Sequence, residues 1–132
     1  MIKYGAGLVG ECCGSIRSDN FINITVNGTI GSSDHHVQYG AGICGKASSR
    51  THTTNFTNCI NNADIFATGL NGALSGQKIG GMCAYASGTD IGSLPGANFE
   101  NCENHGNITT NADYVNLLTP NEGIGGILGI SG

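Results

Sequence analysis

The feature that most constrains the fold of this chain is an internal repeat, because tandem repeats build elongated arrays rather than a single globular core. A glycine-rich element recurs four times, at residues 4–10, 39–45, 79–84 and 124–129. A second element, which begins with phenylalanine and ends with isoleucine, recurs three times, at residues 21–30, 56–65 and 99–108. We therefore interpret residues 1–132 as a single repeat array, part of a longer array or of a filament.

The distance between repeats varies, whereas the two elements keep their lengths. The anchoring glycines Gly7, Gly42, Gly81 and Gly126 lie 35, 39 and 45 positions apart. The additional residues fall in stretches rich in Ser, Thr, Asn, Asp and Gly, the residue types that favour surface turns. Short fixed elements joined by variable loops are typical of a solenoid. We place the repeats at approximately 4–38, 39–77, 78–122 and 123–132, the last of which is partial.

Composition favours strands over helices. The chain contains 23 glycines and only 11% charged residues, and each interior glycine destabilises a helix by about 1 kcal/mol relative to alanine. We predict an all-β fold, a parallel β-helix (β-solenoid) with three full coils of about 35–45 residues plus a partial fourth. The pattern of apolar positions predicts three strands in each coil.

Stacked coils place equivalent residues about 4.8 Å apart, so each repeated position becomes a ladder along the array. The first predicted core ladder is aromatic and consists of Phe21, Phe56 and Phe99. The second is an inner ladder of hydrogen-bonded amides at a left-handed corner, and consists of Asn23, Asn58 and Asn101. The anchoring glycines are expected either at a corner with positive φ or where neighbouring backbones pack closely.

The two elements resemble the glycine-rich GLUG-type repeats, whose pattern is G-G-[LIV]-[LIV]-G followed by N-C-x-N-x-G-x-[IV]. Residues 124–129 and 99–108 carry the match, and the resemblance covers nearly the whole chain. It implies a right-handed β-helix in a large secreted or surface-attached protein, often one that acts as an adhesin. Residues 5–7 and 40–42 read Gly-Ala-Gly instead of a double glycine, so the resemblance concerns architecture and is not extended to the loops.

Four of the six cysteines occupy core positions of the repeat. Cys44 and Cys83 share one position, and Cys59 and Cys102 share another. The second and third repeats have both cysteines, whereas the first has neither at these positions. This joint occurrence predicts disulfides across each coil, Cys44 to Cys59 and Cys83 to Cys102. The alternative is that the four are buried free thiols, which pack as small apolar side chains.

Cys12 and Cys13 have no equivalent in the other repeats. These neighbouring thiols could pair with each other, cross-link two chains or bind a metal. No C-x-x-C or H-x-x-x-H spacing supports a zinc site. We favour an intermolecular cross-link.

The chain contains four N-x-S/T sequons, the acceptor pattern for N-linked glycan. Asn27, Asn55 and Asn107 lie at predicted turns and are candidate glycosylation sites. The fourth, Asn23, belongs to the predicted inner ladder and is not expected to carry glycan.

Several classes of function are not supported by the sequence. A net charge of -4 with five scattered basic residues disfavours nucleic-acid binding. Because no run of about 18 apolar residues is present, we expect no membrane insertion, and any export signal should lie outside this segment. Residues 5–10 and 40–45 fit G-x-G-x-x-G but lack the flanking strand and helix of a dinucleotide site. The acidic residues fall at unrelated repeat positions, so we predict no catalytic residues, cofactor or metal.

These observations lead to a structural or adhesive function outside the cell or at its surface. Neither end of the sequence shows a polar capping unit, so the predicted partners are further repeats of the same chain or a second copy stacked head to tail. Glycans are a second class of partner. The alternative interpretation is a β-helix module that binds or processes carbohydrate.

Overall fold

The computed structural model describes residues 2–12, 19–32, 37–48, 52–66, 78–87, 96–109 and 123–131. Within these residues the protein is all-β and contains no helix. The strands of the first repeat are β1 (Ile2–Ala6), β2 (Val9–Cys12), β3 (Asn20–Ile22), β4 (Thr25–Val26) and β5 (Thr29–Ile30).

The second repeat forms the equivalent strands β6 (Val37–Ala41), β7 (Cys44–Ser48), β8 (Thr54–Thr57), β9 (Ile60–Asn61) and β10 (Asp64–Phe66). In the third repeat these are β11 (Lys78–Gly80), β12 (Cys83–Ser87), β13 (Ala97–Glu100), β14 (Glu103–Asn104) and β15 (Ile108–Thr109). The fourth contributes β16 (Gly123–Gly125) and β17 (Leu128–Ser131).

Equivalent strands of successive repeats pair side by side, and every pair is parallel. In chain order the five sheets are β1-β6-β11-β16 (sheet 1), β2-β7-β12-β17 (sheet 2), β3-β8-β13 (sheet 3), β4-β9-β14 (sheet 4) and β5-β10-β15 (sheet 5). The predicted all-β fold with parallel strands is confirmed, and this pairing between repeats is consistent with a β-solenoid.

The prediction of three strands per repeat is wrong, because the described residues of each of the first three repeats form five. The glycine element bends at residues 7–8 and divides into β1 and β2. The phenylalanine element breaks at Asn23, whose φ of 56° is left-handed, so β3 ends before it. Asn58 and Asn101 break the next two repeats in the same way, with φ of 53° and 50°.

Close backbone packing explains the anchoring glycines. A Cβ atom at Gly42 would collide with the carbonyl oxygen of Gly81 and the side chain of Asn61. One at Gly7 would collide with the carbonyl oxygen of Gly42. The left-handed glycines among the described residues are Gly28 and Gly31 instead. Of the two explanations offered by the sequence, the structure therefore supports contact between repeats.

The core consists of two clusters of buried side chains. The larger centres on Phe56, with Ile43, Met82 and the thiols of Cys44, Cys59 and Cys83. The smaller comprises Ile30, Val37, Ala63, Ile65 and Ile79. The ring of Phe56 stacks on Phe21 and Phe99, with centroids 5.0 and 4.8 Å apart, close to the spacing of adjacent strands. Stacking between repeats thus forms the core of the described residues.

Candidate functional site

The thiols of sheet 2 form a line that runs across three repeats. Cys44 and Cys83 are direct partners in the pairing of β7 with β12. Cys12 lies at the end of β2, opposite Ala47, and its Sγ is 3.4 Å from the Sγ of Cys44. A polar interaction between Cys44 and Cys83 continues the line. We call these three residues the thiol ladder.

The disulfides predicted within each coil do not form in the structure, where Cys44, Cys59, Cys83 and Cys102 are all free thiols. The hydrogen-bond partners of their sulfurs explain the difference. Cys59 donates to the carbonyls of Phe21 at 3.3 Å and Thr57 at 3.4 Å, and Cys102 donates to those of Phe56 and Glu100, both at 3.4 Å. Both thiols are thus directed to backbone carbonyls of sheet 3. The predicted intermolecular or vicinal role of Cys13 lies outside the described residues.

The environment of Cys12, Cys44 and Cys102 favours the protonated form of each thiol. The hydrogen bond with Cys44, followed by burial, raises the pKa of Cys12 far above the usual thiol value. The hydrogen bond with Cys12 lowers the pKa of Cys44, but the interaction with Cys83 and burial outweigh it and raise this pKa to about 12. Burial also raises the pKa of Cys102. Because the thiolate is the nucleophile, these cysteines are weakly reactive at neutral pH.

A cluster of two tyrosines and one lysine joins sheets 1 and 2. The Nζ of Lys78 lies 5.2 Å from the ring centroids of both Tyr39 and Tyr85, within cation–π range. The rings of Tyr39 and Tyr85 meet edge to face at 6.4 Å. Lys78 is buried, whereas the rings are half-buried. We call this group the Tyr-Lys cluster.

Sequence reasoning missed the Tyr-Lys cluster because it compared only equivalent positions of the repeat. Tyr39 pairs with Lys78, and Tyr85 pairs with Lys46, so the tyrosines lie in different sheets. They meet where β6 and β11 run beside β12. In the third repeat Lys78 occupies the position that Tyr39 occupies in the second. This change from tyrosine to lysine was the signal in the sequence that could have indicated the cluster.

The asparagine ladder at the corner is exposed, and its prediction as an inner ladder is wrong. Asn23, Asn58 and Asn101 do bond along the array, since Nδ2 of Asn58 donates to Oδ1 of Asn23 and Nδ2 of Asn101 donates to Oδ1 of Asn58, both at 3.2 Å. All three side chains are exposed. The residue that follows the corner asparagine faces inward instead. Cys59, which follows Asn58, has no exposed surface.

The buried amide is Asn61, which has no exposed surface. Its Nδ2 donates to the carbonyl of Ala63 at 3.0 Å and to Oδ1 of Asn104 at 2.8 Å, while its Oδ1 accepts from the amide of Ala63 at 3.1 Å. This bonding compensates for the burial of the polar side chain. The common repeat position of Asn61 and Asn104 was visible in the sequence and was overlooked.

The candidate glycosylation residues differ in how their amide nitrogens are used. The Nδ2 of Asn55 donates to Oδ1 of Asn20 at 3.0 Å, and that of Asn107 donates to Oδ1 of Asp64 at 3.1 Å. Asn27 is exposed, and its Oδ1 accepts from Asn62 at 3.0 Å. Since glycan is attached through the side-chain amide, Asn27 has the more accessible attachment atom. Glycosylation itself stays a prediction.

Within the described ranges, no group of three or more His, Cys, Asp or Glu side chains is arranged to hold a metal ion. The same part of the chain contains no helix with the length and apolar character needed to cross a membrane.

Comparison with known proteins does not identify a relative. No protein-family model, curated protein or solved structure matches this chain.

Proposed function

We propose that this chain is a structural or adhesive β-solenoid, a surface protein or filament subunit that acts outside the cell or at its surface and assembles by stacking of coils. In this proposal the five sheets wind as a right-handed parallel β-helix of three full coils and a partial fourth, as the resemblance to GLUG-type repeats implies. The variable connecting loops would carry specificity. The main supporting observation is the outer edge of the first repeat.

Each strand from β1 to β5 stands at the end of its sheet and pairs on one side only within the described residues. Two apolar side chains of this repeat are exposed, Leu8 at 53% and Ile22 at 56%. The backbone groups on the other side of such a strand can pair with a further repeat, whether of the same chain or of a second copy. A repeat of the same type fits such an edge, because the pairs already formed are between repeats.

The backbone of β4 identifies a residue that faces the outer edge. The carbonyls of Ile24 and Val26 accept hydrogen bonds from Ile60 and Asn62 of the second repeat, both at 2.8 Å. Successive residues of a parallel strand alternate the direction of their backbone groups, so the amide of Thr25 faces away from β9. Proline at this position would remove an edge donor without removing a bond to β9.

Electron microscopy of the purified chain and two variants tests assembly at this edge. We expect the unmodified chain and Thr25→Val to form filaments, because valine retains the backbone amide. Thr25→Pro should give single particles, with its strand content checked by circular dichroism. Single particles from the unmodified chain at every concentration would contradict assembly by stacking. Filaments of folded Thr25→Pro would show that this edge is not the contact.

The Tyr-Lys cluster favours a second candidate function, binding of carbohydrate. Aromatic rings beside a cationic group can contact sugar rings that carry acidic substituents, and the half-buried rings of Tyr39 and Tyr85 lie next to Lys78. Glycan-array binding that is lost in Tyr85→Ala and retained in Glu11→Gln would support this function. The control changes a neighbouring surface residue outside the cluster. An array without signal for the unmodified chain would reject it.

A further inference from the structure

We propose that Cys12 and Cys44 form an oxidative cross-linking site at which a small-molecule disulfide is reduced and a disulfide between neighbouring repeats is formed. The proposal stands on the geometry of the thiol ladder and does not depend on the proposed function. It differs from the pairings that the repeat pattern predicts, because it joins two repeats rather than two strands of one repeat.

The two sulfurs are already in contact, since Cys12 Sγ lies 3.4 Å from Cys44 Sγ. Cys12 is opposite Ala47, three residues beyond Cys44. The sulfur of Cys44 also interacts with the backbone of Lys46, which lies between Cys44 and Ala47 along β7. Formation of an S–S bond has to shorten the separation to about 2.05 Å.

The two thiols differ in accessibility. Cys12 is half-buried, whereas Cys44 has no exposed surface. A small disulfide reagent therefore reaches Cys12 first, and Cys44 is the thiol that resolves the mixed disulfide.

Cys83 is the competing partner of Cys44. The two residues are direct partners in the pairing of β12 with β7, and such partners lie about 4.8 Å apart, a separation that a disulfide can span. Cys83 has no exposed surface, however, whereas Cys12 is half-buried. A reagent in solution therefore reaches Cys12 before Cys83.

The reaction with oxidised glutathione balances as two exchanges. The thiolate of Cys12 attacks one sulfur of the reagent, which forms a mixed disulfide and releases one glutathione thiolate. The thiolate of Cys44 then attacks the Cys12 sulfur and releases the second glutathione. Two electrons pass from the protein thiols to the reagent, and their two protons are transferred to the released glutathione thiolates.

The reaction should be slow at neutral pH, because the contact between the thiols and their burial favour the protonated form. Asp19 raises the pKa of Cys12 further, and a hydrogen bond with Thr54 lowers it. Since the thiolate is the attacking species, the yield of the bridge should rise with pH, and the experiment is run at several alkaline pH values.

Tryptic peptides identify the bridge. The chain has five cleavage residues, Lys3, Arg17, Lys46, Arg50 and Lys78. The sequence therefore places Cys12 in peptide 4–17, Cys44 in peptide 18–46, Cys59 in peptide 51–78, and Cys83 with Cys102 in peptide 79–132. A link between peptides 4–17 and 18–46 identifies a bridge to Cys44, whereas Cys83 and Cys102 share one peptide and are not distinguished by the digest. Cys13 shares the peptide of Cys12, so the experiment uses the Cys13→Ser chain.

The Cys13→Ser chain is treated with oxidised glutathione, blocked with an alkylating reagent and digested without reduction. Mass spectrometry should find peptide 4–17 linked to peptide 18–46, and the midpoint of thermal unfolding should rise by several degrees. Adding Cys12→Ser should remove both effects, whereas adding Cys83→Ser should leave both.

Three outcomes would overturn the proposal. In the first, peptide 18–46 is linked to peptide 79–132, which would identify Cys83 or Cys102 as the partner of Cys44. In the second, peptide 18–46 is linked to peptide 51–78, as the repeat pattern predicts. In the third, glutathione is attached to Cys12 while Cys44 remains alkylated, which would show that the sulfurs do not close the bond.

Discussion

The first and second repeats have equivalent strands in the same register, yet the inward-facing side chains of the second are more deeply buried than those of the first. Phe56 has no exposed surface, whereas its partner Phe21 is half-buried. Likewise Cys59 is buried while Ile24, at the equivalent position, is half-buried. Strands of the second repeat pair on both sides and those of the first on one. The burial of a residue therefore depends more on the repeats that lie beside it than on the sequence of its own repeat.

The largest difference between the two repeats is expected for their phenylalanines. Phe56→Ala removes a fully buried ring that stacks on two others, and should lower the free energy of unfolding by about 3–5 kcal/mol. Phe21→Ala removes a half-buried ring with one stacking partner, so its effect should be well below this range. Chemical denaturation followed by circular dichroism measures both. Equal losses would contradict the comparison.

The anchoring glycines extend the same comparison to the backbone. Gly42→Ala places a methyl group against the carbonyl of Gly81 and the side chain of Asn61, and should cost about 1–3 kcal/mol of unfolding free energy. Gly126 has no atom within 4 Å of an added Cβ among the described residues. Gly126→Ala is the matched control and should change stability by less than about 0.5 kcal/mol. A destabilised Gly126→Ala with an unaffected Gly42→Ala would refute close packing as the role of this position.

The left-handed corner gives an effect of intermediate size. Alanine at Asn58, where φ is 53°, should cost about 1–2 kcal/mol because L-residues other than asparagine disfavour this conformation. Asn58→Gly loses the same two ladder hydrogen bonds but tolerates positive φ. The difference in thermal stability between the two variants isolates the backbone contribution. If glycine and alanine are equally destabilising, the hydrogen bonds and not the corner determine the preference for asparagine.

The smallest effect is expected for the ion pair between the two repeats. Lys46 Nζ lies 2.5 Å from Glu11 Oε1, and the side chains are 26% and 30% exposed. Lys46→Met should therefore lower stability by less than about 1 kcal/mol. The loss should shrink further when urea unfolding is repeated in about 1 M salt, because salt screens exposed charges. A large loss that is independent of salt would mean that Lys46 packs rather than pairs.

The sequence was sufficient to predict the all-β class and the parallel pairing of repeats, because a tandem repeat whose elements keep a constant length is compatible with few other folds. It was not sufficient to predict where the strands begin and end within each repeat, or which side chains face inward. Three strands became five, since Asn23 and its equivalents turn the backbone left-handed. The same turn places these amides outside, so that Asn61 and not Asn58 is the buried asparagine.

The candidate site was less predictable than the fold. The contact between Cys12 and Cys44 joins residues that are not equivalent in the repeat, since Cys12 is opposite Ala47 in the strand pairing. The Tyr-Lys cluster likewise joins two sheets. Comparison of equivalent positions detects contacts along a ladder and misses contacts between ladders.

Equivalent residues of successive repeats stack on one another, and the phenylalanine rings provide the most direct test of this stacking. The chain has four phenylalanines, so selective labelling gives a simple NMR spectrum in which Phe66 serves as a reference outside the stack. The structure predicts ring-to-ring NOEs from Phe56 to Phe21 and to Phe99, whose centroids are 5.0 and 4.8 Å away. A folded chain in which Phe56 shows neither NOE would contradict the account.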